Sequence, residues 1–168
     1  GREVPMGEDG EIAARGAGMM LGYADPQQNA EAHDSDGFFL TGDIGRRTAD
    51  NAILITDRKK DIIIRGGENI SAKDVEDVLH DHPDIREVAV VAMPHKRLGE
   101  GVCAYIVPES ADSELDLRAV AAFADQAALA KQKIPEHVEI VNELPRTASG
   151  KVRKDVLRRQ ISTSLAAG

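Results

Sequence analysis

Up to residue 57 the apolar positions come in short extended pieces, over 11–15, 38–41 and 52–56, parted by the turn dipeptides Asp9-Gly10, Asp36-Gly37 and Asp50-Asn51. Large apolar residues are sparse there, so the stretch predicts strands, little helix and too few anchors to close a core alone. From residue 58 the pattern changes to alternating strands and helices. The β-branched run Ile62-Ile63-Ile64 predicts a strand over 61–65, ended by Gly66-Gly67, where backbone angles closed to other residues become accessible. Ser71, with Asp74 three positions on, predicts a capped helix that places Val75, Val78 and Leu79 on one face and stops before Pro83. Strands over 85–93 and 102–107 flank a loop over 94–101. Ser113 with Asp116 repeats the capping signal and opens a helix carrying Leu117, Val120, Ala121, Ala124 and Ala128 at helical spacing. A short strand over 137–141 follows. After the turn-rich 142–150, a last helix over 154–165 sets Leu157, Ile161 and Leu165 in one i, i+4, i+8 stripe.

The expectation is an α+β unit of about 100 residues over 58–168, a short β-hairpin and a three-stranded sheet with flanking helices. A β-rich piece over 1–57 precedes it. At 42% hydrophobic the 168 residues have a globular composition, which excludes a disordered or collagen-like chain. The longest apolar runs, such as 88–93, fall far short of the roughly 18 residues of a membrane span. Cys103 is the single cysteine and has no disulfide partner in the chain, which fits a reducing, cytoplasmic setting and leaves no Cys-rich metal site. His80 and His82 lie two apart, off any common helical face, so no metal site is expected. The opening Gly1-Arg2-Glu3 has neither an initiator Met nor a signal-peptide pattern and reads like a cut inside a longer chain.

Charge adds one feature. The net charge is −8, yet residues 131–160 hold eight basic groups against four acidic ones. Two readings stand, a solvated helix face or a local site for an anionic ligand. Nucleic acid is not expected, because the cluster lacks aromatic residues and the rest of the chain would repel a polyanion.

Three segments carry candidate chemistry. In Pro145-Arg146-Thr147-Ala148-Ser149-Gly150-Lys151 a lysine follows a small, flexible turn, so its ammonium can be delivered to a phosphate or carboxylate oxygen; the alternative is a mobile surface loop. A phosphate-binding P-loop is excluded, since Val152 stands where Ser or Thr must follow the lysine. Thr41-Gly42-Asp43 reads as a turn whose carboxylate either accepts from a ribose diol or simply closes the turn. Asp57-Arg58-Lys59-Lys60-Asp61 is a charged connector between the two composition regimes.

The order of these segments adds to each. Gly10-Glu11-Ile12 with Arg15-Gly16 and Gly22-Tyr23, then the run from Gly37 to Asp43, the run from Asp57 to Ile70, and Leu144 to Arg153 resemble the C-terminal motifs of the adenylate-forming (AMP-binding, ANL) superfamily. The resemblance covers nearly the whole chain, and the run from Asp61 to Ile70 is most similar to acyl-CoA and aryl-CoA ligases. It implies a two-step reaction in which a carboxylic acid and Mg-ATP give an acyl-adenylate and pyrophosphate, and a thiol, usually of coenzyme A, then displaces AMP. By resemblance Asp43 holds the ribose hydroxyls, Arg58 also contacts the nucleotide, and Lys60 is the hinge about which a mobile domain turns. Lys151 enters the site for adenylation, the Gly66-Gly67 loop for thioester formation, and Lys133 sits where the CoA nucleotide can pass. No residue of the chain is assigned to metal; Mg2+ is expected to be held mainly by an N-terminal domain of the same enzyme, as is the fatty or aromatic acid.

The chain departs from the pattern at several points. Leu40 replaces a position that is often polar, Ala72 a frequent proline, Gln132 a common aromatic before Lys133, and His95 a usual Asp in the turn before Gly99-Glu100. Residues 1–57 are expected to be the end of the large domain's β-barrel and 58–168 the mobile domain, inactive as a fragment. The alternatives are a peptide-synthetase-type adenylation fragment, a stand-alone acyl-adenylate ligase fragment, or a non-catalytic docking or regulatory module.

Overall fold

The computed structural model describes residues 2–167, and the chain divides between Lys60 and Asp61 into two units. In the first, β1 (Gly10–Ala14), β2 (Phe39–Arg47) and β3 (Ile53–Arg58) form an antiparallel sheet in that order. A short helix, α1 (Pro26–Glu31), precedes β2. It starts where the Asp25 carboxylate accepts from the Gln27 N–H, and Pro26 fits its first turn. Thr41-Gly42-Asp43 lies inside β2 rather than in a turn at its end, because Leu40 and Ile44 pair with β1 and Asp43 pairs with Arg58 of β3. Among the described residues of this unit no hydrophobic side chain is buried, and Ile53, Leu54 and Ile55 on the edge strand β3 are all exposed.

The second unit holds the core. β4 (Ile63–Arg65), β5 (Glu68–Ile70), β6 (Ile85–His95), β7 (Gly99–Pro108) and β8 (His137–Ile140) make one five-stranded sheet, so the expected hairpin and three strands are continuous. β6 lines one edge of β7 over its full length. β4 pairs with β7 only at Arg65 and Gly99, and β8 joins it in parallel at Cys103–Ile106. Three helices cover the sheet: α2 (Ala72–His80), α3 (Leu117–Gln126) and α4 (Lys154–Ala167).

The period of two decides which helix goes where. Val90, Val102, Ala104 and Ile106 pack with Val75 and Leu79 of α2 and with Val120 and Ala124 of α3. Their neighbours Ala89, Val91, Met93, Cys103, Tyr105 and Val107 pack with Leu157 and Ile161 of α4. Both faces are thus buried, and β6 and β7 read as nearly continuous apolar runs for that reason. The Tyr105 hydroxyl satisfies itself by donating to the Leu157 carbonyl at 3.1 Å, and burial pushes its pKa up to about 12.

The α+β class holds, with local corrections. The strand expected over 61–65 starts at Ile63 because Lys59–Asp61 is a 3-10 turn. The 94–101 loop shrinks to residues 96–98, since Pro94 and His95 pair with Glu100 and Gly99. α3 is capped by Asp116, whose carboxylate accepts from the Ala119 N–H at 2.7 Å; Ser113 instead accepts from Ser110. Ala128 lies beyond that helix in a left-handed conformation, and Leu165 turns out to be exposed. Among the described residues no helix is long and apolar enough to cross a membrane.

Candidate functional site

In the first unit the ladder itself brings two candidate residues together. Asp43 and Arg58 are register partners across β2 and β3, and Arg58 Nε lies 2.6 Å from Asp43 Oδ1. Thr41 orients this stretch: its Oγ1 accepts from the Asp43 N–H and donates to the Ile12 carbonyl. A carboxylate can accept from a diol and a guanidinium can donate to a phosphate, so the pair has the chemistry to hold a nucleotide. Next to it, Asp57 is the one buried charged residue among those described. Its Oδ1 accepts from the Arg58 N–H, and its Oδ2 has no hydrogen-bond partner. Lys60, exposed, is the last residue of this unit.

In the second unit Gly66 and Gly67 join β4 to β5 as a two-residue turn between the partners Arg65 and Glu68. Both have positive φ, +60° and +89°, the signature of a type I′ hairpin turn, which side chains strongly disfavour. The turn is fastened to the tip of the β6–β7 hairpin by the Gly66 N–H, which donates to the Leu98 carbonyl at 2.8 Å. That tip is in turn held by His95, whose Nδ1 accepts from the N–H groups of Arg97 and Leu98. An imidazole thus does what a carboxylate acceptor does in an Asx turn.

The basic stretch 131–160 is largely neutralised within the fold. Lys133 pairs with Asp74 at 2.7 Å, Lys154 with Glu76 at 2.7 Å, Arg153 and Arg159 with Asp155, Arg158 with Asp61, and Arg146 with Glu87. The Arg153 hydrogen bond holds the Asp155 carboxyl below its ordinary range. Lys151 is exposed and has no ion pair among the described residues. It follows a turn closed by its own hydrogen bonds, so the flexible delivery arm expected from the small residues is instead a formed loop. The described residues contain no group of three or more His, Cys, Asp or Glu that could hold a metal ion.

Sequence spacing gave no sign of the pairs that fix these loops. Arg65 donates to Glu136 from Nη2 at 2.6 Å and from Nε at 3.4 Å, which ties the strand feeding the Gly66-Gly67 turn to the segment after Lys133. That hydrogen bond raises the Arg65 pKa and lowers that of Glu136. Lys154 and the Val90 N–H share Glu76 Oε1, which locks the start of α4 to α2 and β6.

Residues 74–151 match the AMP-binding enzyme C-terminal domain family. The chain is 46% identical over 165 residues to the medium-chain fatty-acid–CoA ligase of Escherichia coli (strain K12), covering 98% of this chain and 29% of that enzyme. It is 42% identical over 169 residues to the 2,3-dihydroxybenzoate-AMP ligase of Bacillus subtilis (strain 168), covering 99% of this chain and 31% of that one. Among solved structures, ATP-bound MatB from Rhodopseudomonas palustris matches with a TM-score of 0.87 at 37% identity, over 95% of this chain and 32% of that one. The chain therefore spans about three tenths of the length of these relatives. It carries the AMP-binding enzyme C-terminal domain and shares sequence and fold with such enzymes along nearly all of its length, and so it belongs to the adenylate-forming enzyme family.

Proposed function

We propose that the chain is the C-terminal part of an ATP-dependent carboxylic acid–CoA ligase acting on a fatty or aromatic acid in the cytoplasm. In the first step a carboxylate oxygen attacks the α-phosphorus of ATP and pyrophosphate leaves; in the second the CoA thiolate attacks the acyl carbon and AMP leaves. The observation that carries this reading is Lys151, a cation without an ion-pair partner among the described residues, presented by a closed turn in a stretch where six of the eight basic residues are paired. An ammonium fixed in that way neutralises charge that develops between the carboxylate and the α-phosphate. In this reading Asp43 and Arg58 hold the nucleotide, and Lys133 releases Asp74 to meet a CoA phosphate. Magnesium arrives with ATP on residues outside this chain.

The geometry of the second unit supports alternation. The Lys151 loop is tied to Glu87 near the start of β6, whereas the Gly66-Gly67 turn is tied to Leu98, just past its end. The eight residue-to-residue steps from Glu87 to His95 put these anchors roughly 27 Å apart at the usual strand rise. Both loops cannot serve one acyl carbon at the same moment, so the unit must turn between half-reactions, and Lys60 is the proposed hinge.

The test uses the intact gene product. With ATP, CoA and a panel of fatty and aromatic acids it is expected to form acyl-CoA, AMP and pyrophosphate. A product that stops at the acyl-adenylate favours the second reading, a stand-alone AMP ligase, which the resemblance to 2,3-dihydroxybenzoate-AMP ligase supports. Absence of both products with every acid would leave a non-catalytic module as the better account.

A further inference from the structure

We infer that Arg146, clamped by Glu87, is the positioning residue for Lys151. Hydrogen bonds inside the turn define its shape: the Arg153 N–H donates to the Pro145 carbonyl at 2.7 Å, the Thr147 N–H to the Lys151 carbonyl at 2.8 Å, and the Gly150 N–H to the Thr147 carbonyl at 2.9 Å. Leu144 and Val152 anchor the base of the turn in the core beside α4. Neither set of contacts reaches from the tip to the sheet.

Arg146 makes that link. Its Nη1 donates to the Gly150 carbonyl at 2.7 Å while its Nη2 donates to Glu87 of β6. The Gly150 carbonyl is one end of the peptide plane that leads into Lys151. The other end, the Lys151 N–H, donates to Thr147 Oγ1 at 3.2 Å. A planar peptide held at both its C=O and its N–H cannot rotate, and the Lys151 carbonyl on the far side of the Cα is held by the Thr147 N–H, so the direction in which the Lys151 side chain leaves the backbone is fixed. Gly150 supplies a plane in this orientation at φ +84°, an angle that other residues rarely adopt. A guanidinium suits the task because its planar fork reaches two acceptors with a single geometry, which the compact ammonium of lysine does less well.

Arg146 thus acts through Lys151 and belongs to adenylation alone, an inference that rests on the proposed role of Lys151. The intact gene product is assayed for acyl-adenylate formation from acid and ATP, and separately for thioester formation from supplied acyl-adenylate and CoA. Lys151→Ala serves as the reference. Arg146→Ala is expected to lower kcat for adenylate formation about ten- to a hundred-fold with KM for ATP and acid nearly unchanged, as for a misplaced transition-state contact. Thioester formation should stay near wild type, which also shows that the variant is folded. Glu87→Gln, which keeps an acceptor for the guanidinium, and Arg146→Lys should both fall between wild type and Arg146→Ala. An equal loss in both half-reactions would make Arg146 a structural residue and overturn the inference. So would unchanged adenylation in Arg146→Ala when Lys151→Ala has lost it. Adenylation that survives Lys151→Ala defeats the assigned role of Lys151 itself, and this inference with it.

Discussion

Glu136 and Arg65 lie 71 positions apart in the chain and meet as a two-point hydrogen-bonded pair, each side chain less than a third exposed. The Arg65 hydrogen bond lowers the Glu136 pKa in the folded state beneath its ordinary value of 4.5. Its contribution to stability is therefore complete above that ordinary value and lost as pH falls through the lower folded one. Glu136→Gln in the 168-residue chain is expected to reduce stability by about 1 kcal/mol at neutral pH, less than the full contribution of a charge-assisted hydrogen bond because the pair is partly exposed and the amide still accepts. The urea midpoints of the two proteins, followed by tyrosine fluorescence, should draw together as pH falls below 4.5. A gap that stays constant from pH 7 to pH 3 would show that the ionised pair is not what Glu136 contributes. Residues like these mark where sequence reading ends. Arg146, Lys133 and Lys151 were legible as chemistry because they sit in short motifs. Their partners were not, since Glu87 is 59 positions from Arg146 and Asp74 is 59 from Lys133, distances at which no local period survives. His95 shows the converse, a departure from the expected Asp that the structure absorbs by using Nδ1 as the acceptor.

At the scale of elements, capping chemistry sets boundaries that hydrophobic spacing alone leaves loose. Ser71 caps α2 as its sequence indicates, with the Asp74 N–H donating to Ser71 Oγ at 3.1 Å. In α3 two candidates compete, and Asp116 wins because its carboxylate faces the free N–H of Ala119 three residues on. Ser113 lies three residues earlier, in the turn before the helix. Asp116→Ala is thus expected to destabilise the second unit by about 1 kcal/mol, and Ser113→Ala by only a few tenths. Equal losses in thermal or urea unfolding would return the cap to Ser113. The same scale explains why β6 and β7 were foreseen too short. Their apolar runs end at Met93 and begin at Val102, but the ladder continues through Pro94, His95, Gly99 and Glu100, whose side chains carry no apolar signal. The expectation that Gly66-Gly67 takes backbone angles closed to other residues is met by the two consecutive positive φ angles.

For the whole molecule, the distribution of buried side chains separates two kinds of stability. Every buried hydrophobic residue among those described falls at or after Ile63, in two clusters on opposite faces of one sheet, with helices over both. A sheet covered on both sides removes enough apolar surface from water for a domain of about 100 residues to stand alone. The first unit has three strands and the run Ile53-Leu54-Ile55 exposed on its edge strand, an arrangement that a free protein rarely leaves uncovered. In the proposed ligase that surface is covered by sequence outside these 168 residues. Residues 61–168 produced alone are therefore expected to unfold in one cooperative transition, with backbone amides in β6 and β7 protected from hydrogen exchange. Residues 1–60 produced alone are expected to show neither a cooperative transition nor slow exchange, because three strands without a buried apolar face do not offset the entropy of ordering them. Cooperative folding of residues 1–60 would show that this sheet closes a core of its own and would remove the structural argument for a larger domain over it. Failure of residues 61–168 to fold would mean that the clusters around β6 and β7 depend on the first unit, and the picture of a small domain that turns as a body about Lys60 would fall with it.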